Sequence, residues 1–511
     1  MFRKSWMQLV LGGALCAAVA GCGSSSSGGS SSSSRDLKIA YQANIASFDP
    51  DNSFEVAGLG AIRAVYQGLV TYSPNSTKLV GLLAKNWTIS GGGTTYTFHL
   101  RSDVKFHDGT AMTSKSVKAA FTRRSNPKLI LSYFLAGVKS MSTPDPHTFV
   151  VKLSGPEPYF LDSLASAWGP KVVGPDALQA HAGKDVSMSY LNTHADGTGP
   201  FTLTNFSQGQ SYTLTRFANY WGRKPYFNTV KISVIPNIEQ QILQLRNGQL
   251  DMVLHGYPYD QLKTVSSPLN IFAYNDLGLE MGYINTSGPL KNPAWRKRVA
   301  AAVNPSGWVS QAFGSRATVA HSLFPKLMPQ PGSPLAYPPA PGGGGGAMPT
   351  VRVVYTQEEA GVQQRVGDLL VARLQAAGIK ASARSVPQAQ LTSWYKKPGA
   401  APADLVIVQE NPDDASPQSM VGDFYVAGSP LNVFNYTTPG ANALFQKAFK
   451  QRSEQTANSL YFAGTKMLFD RGAFLPFADL KDIIVYRGNL TDFSPVPAVP
   501  WNIDLGTVRR G

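Results

Sequence analysis

Metal or acid–base chemistry would draw first on seven histidines: His99, His107, His147, His181, His194, His255 and His321. None sits in an H-E-x-x-H pattern or a close pair, so the spacing gives no support for a hydrolytic metal site. Both cysteines, Cys16 and Cys22, lie in the first 22 residues, which excludes a cysteine metal cluster or a disulfide scaffold in the body. No G-x-x-x-x-G-K-[ST] occurs, so the chain carries no P-loop of its own. Gly58-Leu59-Gly60 and Gly197-Thr198-Gly199 lack the spacing of a dinucleotide fingerprint and read as turns. Ser393-Trp394-Tyr395-Lys396 matches the S-x-x-K of acyl-serine enzymes, but its S-D-N and K-T-G companions are missing. Neither cofactor nor metal is expected, and an exported serine hydrolase stands only as an alternative.

The residues that position such groups begin after a leader. Arg3 and Lys4 precede an apolar run from Leu9 to Val19 that is too short for a comfortable bilayer span, as in a secretory signal over residues 1–21. Val19-Ala20-Gly21-Cys22 looks like a bacterial lipobox, with Cys22 as the lipid-modified first residue of the mature chain. The alternative is ordinary cleavage near Ala18-Val19-Ala20, leaving a free thiol. Gly23 to Ser34 contains only Gly and Ser, a tether with a root-mean-square reach of about 19 Å. An acyl anchor and a leash would hold a folded body beside a membrane.

The chain has 511 residues, enough for two to four domain-sized units. Its 43% hydrophobic content excludes a disordered chain. The net charge of +15 is spread out, and its densest group, Arg296-Lys297-Arg298, is short; nucleic acid is therefore not an expected partner. Strands are expected at Leu37–Tyr41, His147–Leu153, Tyr212–Arg216 and Val230–Ile235. A hairpin turns at Gly91-Gly92-Gly93 between Trp87–Ser90 and Thr95–Leu100. Asp108-Gly109 marks another turn, and Thr113 caps a helix carrying Val117, Ala120 and Phe121. Asn237 caps a second helix that stops at Gly248. The stretch Pro325–Pro349, with glycine throughout 342–346, is expected to lack order and to separate two parts of the chain. Beyond it, strand Val351–Tyr355, helix Ala360–Ala377 and strand Leu405–Val408 suggest a βαβ layer. The class is α/β with at least two lobes.

Several ordered pieces then point one way. Phe48-Asp49-Pro50, Tyr66-Gln67-Gly68-Leu69-Val70, Leu83-Ala84-Lys85-Asn86-Trp87, Val104-Lys105-Phe106-His107-Asp108-Gly109 and Gly197-Thr198-Gly199-Pro200-Phe201 follow one another along the chain. Asn219-Tyr220-Trp221-Gly222 and Leu245–Asp251 extend the series. Together they resemble the large solute-binding proteins of ABC importers, the group that includes oligopeptide-, dipeptide- and nickel-binding proteins.

The resemblance implies a bilobal, type II periplasmic-binding-protein-like fold with an additional small domain. Residues 37–65, 197–285 and 485–511 would form the first lobe, 66–196 the additional domain, and 286–484 the second lobe with its 325–349 loop; residues 22–36 hold the lipidated cysteine and tether. It also implies a monomer that captures a short peptide as an added strand and delivers it to a membrane permease with separate ATPase subunits. An oligosaccharide is the alternative solute. Within Ile407–Asp414, the resemblance puts Glu410 where family members anchor a peptide ammonium and Asp413 at their second acid, with Gln409 beside them; the alternative is a pair of solvated loop acids. Ile407 stands where the family has Trp, and Asp414 where it has Pro. Phe54-Glu55-Val56 falls where the family presents an edge to ligand, or is a plain surface loop. Tyr133 and Trp394 are candidate pocket walls, or packing residues.

Overall fold

The computed structural model describes residues 35–330, 333–339, 348–357 and 360–511. Cys22, the Gly/Ser tether and the glycine run at 342–346 lie outside them. Among the described residues, no helix is long and apolar enough to cross a membrane.

Two long strands organise the body: Leu269–Ile284 and Phe474–Arg487, paired antiparallel. The pairing is regular from Leu269/Arg487 to Asn275/Lys481, slips, and resumes at Leu279/Asp479, so Asp276, Leu277 and Gly278 have no partners in the ladder. An insertion of this kind bends a sheet locally. On one side of the bend, Met252–Val253, Asp36–Tyr41, Thr229–Val234, Ser211–Arg216 and Phe201–Ser207 extend the sheet; on the other lie Leu405–Glu410, Val351–Thr356 and Ala381–Val386. Ala317–Val319 adds an eleventh strand against 478–480. One sheet therefore runs through two halves joined at a bend.

The expected βαβ layer is present. Val351–Thr356 and Ala381–Val386 are parallel, joined through the helix Ala360–Ala376, and Val351–Thr356 is also parallel to Leu405–Glu410. A separate antiparallel sheet follows the order Ala84–Ser90, Thr95–Leu100, Thr148–Leu153, Val138–Asp145. Its turn at Gly91–Gly93 needs three successive positive φ angles, which glycine adopts at little cost. The helix Ser114–Arg124 starts with a reciprocal capping box between Thr113 and Ser116. The helix Ile238–Arg246 is capped by Asn237, whose Oδ1 accepts from Gln240 N at 2.9 Å.

Two of the sequence motifs turn out to be each other's supports. His107 Nδ1 accepts from Gly197 N at 3.3 Å, and Nε2 donates to Gly199 O at 3.0 Å. This fixes the neutral tautomer, and burial pushes the imidazole down to about 4. Glycine is required at 197 and 199, because a Cβ there would lie 2.2 and 2.3 Å from the carbonyl oxygens of Val65 and Ala64.

The expectation for Pro325–Pro349 needs correction where the chain is described. Met328 and Leu335 are buried, and Tyr337 donates to Pro476 O at 2.7 Å. Ala317–Val319 before this stretch and Val351–Thr356 after it belong to the same half of the sheet, so it does not divide the body. Proline-rich backbone donates few hydrogen bonds, and this one is held by its buried apolar side chains together with bonds from Tyr337, Gln330 and the Leu335 N–H.

Candidate functional site

The segment that follows Leu405–Glu410 carries the acids singled out in the sequence. Burial along this strand is not a clean alternation: Leu405, Val406, Ile407 and Glu410 are enclosed, while Val408 and Gln409 are partly open. Gln409 lies against the bend, where a Cβ on Gly278 would approach its Nε2 to 3.2 Å and Asp276 Oδ1 to 3.0 Å.

Glu410 is turned into the protein. Tyr283 donates to one carboxyl oxygen, and Tyr425 lies 2.8 Å from the other. Tyr425 also bonds Leu323 O at 2.9 Å, although it has a single hydroxyl hydrogen. A protonated Glu410 resolves this count by donating to Tyr425, which then donates to Leu323. Burial pushes the Glu410 carboxyl well above the usual carboxylate range, in agreement. The expected ammonium anchor is thus a neutral, internally satisfied acid in this conformation, because tyrosines on both sides supply its partners.

Asp413 faces outward from its own half. Its Oδ2 accepts from Tyr133 at 2.5 Å, and its carbonyl oxygen accepts from Ser166 Oγ at 2.5 Å; both donors come from the 66–196 segment. Asp414 Oδ1 takes the N–H and Oγ of Ser416 at 2.9 and 2.5 Å, and Ser416 caps the short helix that follows. Asp423 Oδ2 accepts from Ser419 Oγ at 2.7 Å and Asp413 N at 3.3 Å. Across the boundary, Tyr72 donates to Asp162 at 2.9 Å and accepts from Ala415 N at 3.0 Å. Burial pushes all four carboxyls up: Asp414 to about 7, and Asp162, Asp413 and Asp423 in the same direction. Asp414 adds to the rise at Asp162, and Asp413 to that at Asp423, because like charges oppose ionisation. This boundary is rich in acids held by neutral donors.

The opposite wall rests on a different arrangement. Asp49 binds Arg123 through two bonds at 2.6 and 2.8 Å, and Asp51 bridges Arg123 at 2.6 Å and Arg124 at 2.8 Å, all buried. Arg124 also donates to Pro50 O and Leu131 O at 2.9 and 2.8 Å and to Trp168 O. The Phe48-Asp49-Pro50 motif therefore serves the joint between the first strand region and the helix Ser114–Arg124.

Of Phe54-Glu55-Val56, only Phe54 is presented. Its ring packs on Trp168 with centroids 5.3 Å apart. Glu55 accepts from Ala46 N at 3.1 Å, and Val56 packs inward, so both serve their own loop. Tyr133 has a half-exposed ring with its hydroxyl on Asp413. Trp394 is buried in the core of its half, parallel to Phe434 at 6.5 Å, the packing alternative of the two. Ser393 Oγ donates to Gln390 O at 2.6 Å, a local helix contact that gives the S-x-x-K match no nucleophile geometry. Among the described residues, no group of histidine and acidic side chains is arranged to hold a metal ion.

The structure thus brings Tyr133 and Asp413 together, sets Gln409 apart from them against the bend, and turns Glu410 and Trp394 inward. Sequence reasoning missed Arg124, Ser166, Trp168 and Tyr72. A signal existed for the first: adjacent arginines at 123 and 124 on the helix that carries Val117, Ala120 and Phe121, and two acids flanking Pro50, each requiring partners.

Comparison with known proteins fits this architecture. The model of the bacterial extracellular solute-binding proteins, family 5 (middle region), matches residues 78–430. The glutathione-binding protein GsiB of Salmonella typhi is 24% identical over 514 residues, covering 95% of this chain and 97% of that one. Among solved structures, the Helicobacter pylori periplasmic binding protein DppA, in complex with the peptide STSA, superposes with a TM-score of 0.74 at 20% identity, covering 93% of this chain and 97% of that one. NikZ of Campylobacter jejuni, in complex with Ni(L-His), gives 0.77 at 19% identity, covering 93% and 99%. The fold is the bilobal, type II arrangement of these binding proteins.

Proposed function

Because the chain belongs to family 5 of the bacterial extracellular solute-binding proteins, the substrate-binding components of ABC importers, we propose that it captures short peptides between two closing lobes. The moving bodies are the lobe of residues 37–65, 197–275 and 481–511 with its 66–196 domain, and the lobe of residues 279–479; the expected boundaries at 285 and 484 shift to the bend, because Leu279–Ile284 pairs with Leu405–Glu410 and Lys481–Arg487 pairs with Leu269–Asn275. The supporting observation is the carboxylate of Asp413, reached across the boundary by Tyr133 and backed by Asp414, Asp423 and Asp162. Such a site gains most from a cation, and a peptide's free ammonium supplies one together with three hydrogen-bond donors. Asp413 takes the anchoring role in this proposal, in place of Glu410. The captured peptide passes to a membrane permease driven by separate ATPase subunits. The receptor acts as a monomer, anchored through a lipid on Cys22 and the Gly/Ser tether.

The half-exposed rings of Phe54 and Tyr133 are the one feature that favours an oligosaccharide, through ring stacking. Native mass spectrometry of the purified protein separates the two. Co-purified masses that fragment as intact peptides support peptide capture, and hexose-ladder masses or peptide turnover would defeat it. The anchor is tested separately: Cys22→Ala should move the protein from the membrane to the soluble fraction, and unchanged membrane association would remove Cys22 from the account.

A further inference from the structure

Seven large apolar side chains are exposed among the described residues, and three of them, Phe54 (46%), Ile130 (55%) and Tyr133 (49%), lie on segments tied to one buried guanidinium. Arg124 holds Pro50 and Asp51 of the first segment, Leu131 of the second and Trp168 of the third. A fully buried arginine with five donors fixes three loops at once, so the apolar groups they display are held in place rather than collapsed inward. Two buried polar atoms on these segments have no hydrogen-bond partner: Nε1 of Trp168, whose indole packs on the Phe54 ring, and Ser53 Oγ. A buried donor without an acceptor is costly, and a ligand acceptor arriving there removes the cost. The same surface ends at Asp413 through Tyr133 and Ser166.

We propose that this wall selects the first side chain of the peptide: an ammonium at Asp413 followed by a large aromatic or branched aliphatic group packed on Phe54, Ile130 and Trp168, with the indole N–H donating to a peptide carbonyl. The proposal rests on peptide capture and narrows it to peptides with a bulky apolar N-terminal residue. Charge complementarity commits the occupant: a carboxylate beside an apolar surface fits an amine-bearing hydrophobic residue, whereas an acidic first residue would bring like charge to the Asp413 cluster. Arg124 is a positioning residue for this surface and does not touch the ligand.

The test is calorimetry of the full mature chain with X-Ala-Ala and X-Ala-Ala-Ala, where X is Phe, Leu, Gly or Asp. Phe and Leu should bind at least tenfold tighter than Gly, and Asp weakest. Phe54→Ala should cut the Phe-to-Gly affinity ratio at least fivefold. Trp168→Phe, which keeps the ring and removes the donor, should weaken every peptide several-fold and abolish an indole fluorescence shift seen on binding to the parent. Equal affinities for all X, with binding intact, would overturn the selectivity and leave peptide capture standing. No binding of any X would overturn both.

Discussion

Two sets of buried acids sit on opposite sides of the same boundary and are treated differently by the fold. Asp49 and Asp51 are neutralised by Arg123 and Arg124 through short, multiple bonds. Asp413, Asp414 and Asp423 receive tyrosine and serine hydroxyls and backbone N–H groups, and Asp413 feels Arg124 only through space. The paired set fixes geometry, since a desolvated ion pair with its bonds satisfied has no further use for a charge. The second set makes no salt bridge among the described residues, which is what the proposed ammonium site requires.

Four measurements would break or sharpen that contrast. The largest effect is expected from Arg123→Ala, which strands Asp49 and leaves Asp51 to Arg124 alone. Denaturant unfolding should show a loss of about 3–5 kcal/mol, and a change within error would mean the network is not structural. Next comes Asp413→Asn, with peptide affinity falling by about 2 kcal/mol, roughly thirtyfold, and stability unharmed. Equal loss of stability and affinity would make Asp413 another structural acid.

The third is a pH series. Asp414, Asp196 and Asp276 are pushed up to about 7 and Asp479 to about 6, above the unfolded carboxylate value near 4. Between about pH 4 and 7 these four carboxyls hold more protons in the folded state than in the unfolded one, outweighing His107, whose lowered value works the other way, and stability falls as pH rises through this window. The ligand-free Tm should be higher at pH 5.5 than at pH 7.5. Peptide affinity should run the other way, because an ammonium displaces protons from the Asp413 cluster. A ligand-free Tm that rises with pH would contradict the raised values. The smallest effect belongs to Glu410→Gln. A neutral acid replaced by an amide between two tyrosines should cost less than about 1 kcal/mol in affinity, measured by calorimetry, and a loss matching that of Asp413→Asn would restore Glu410 as the anchor.

Much of the scaffold was legible because its signals are local. Caps at Thr113 and Asn237, the triple-glycine turn and the strand–helix–strand after Val351 each depend on a few neighbouring residues. The two crossing strands were not read: Leu269–Ile284 is buried throughout its second half and so loses the alternation that marks a strand. At the site, chain order placed Asp413 and Tyr133 among the candidates, but direction was hidden. Whether Glu410 points to the cleft or the core is decided by Tyr283 and Tyr425, the former 127 residues away in sequence. Trp168 was invisible for a similar reason, since only the folded chain brings its loop to Phe54 and Arg124.

The unpaired stretch Asp276-Leu277-Gly278 has a mechanical consequence. The ladder slips at this stretch and again between Glu280 and Met281, while it is regular from Leu269 to Asn275 and from Met281 to Tyr283, so bending of one half against the other would concentrate between Asn275 and Met281. In the proposed closure the halves would act as lever arms on a common axle, and a small angular change there would open the contact between Tyr133 and Asp413. A side chain added at Gly278 would press on Gln409 and Asp276 at the pivot itself, coupling the swing of the arms to the strand that leads into the acidic segment.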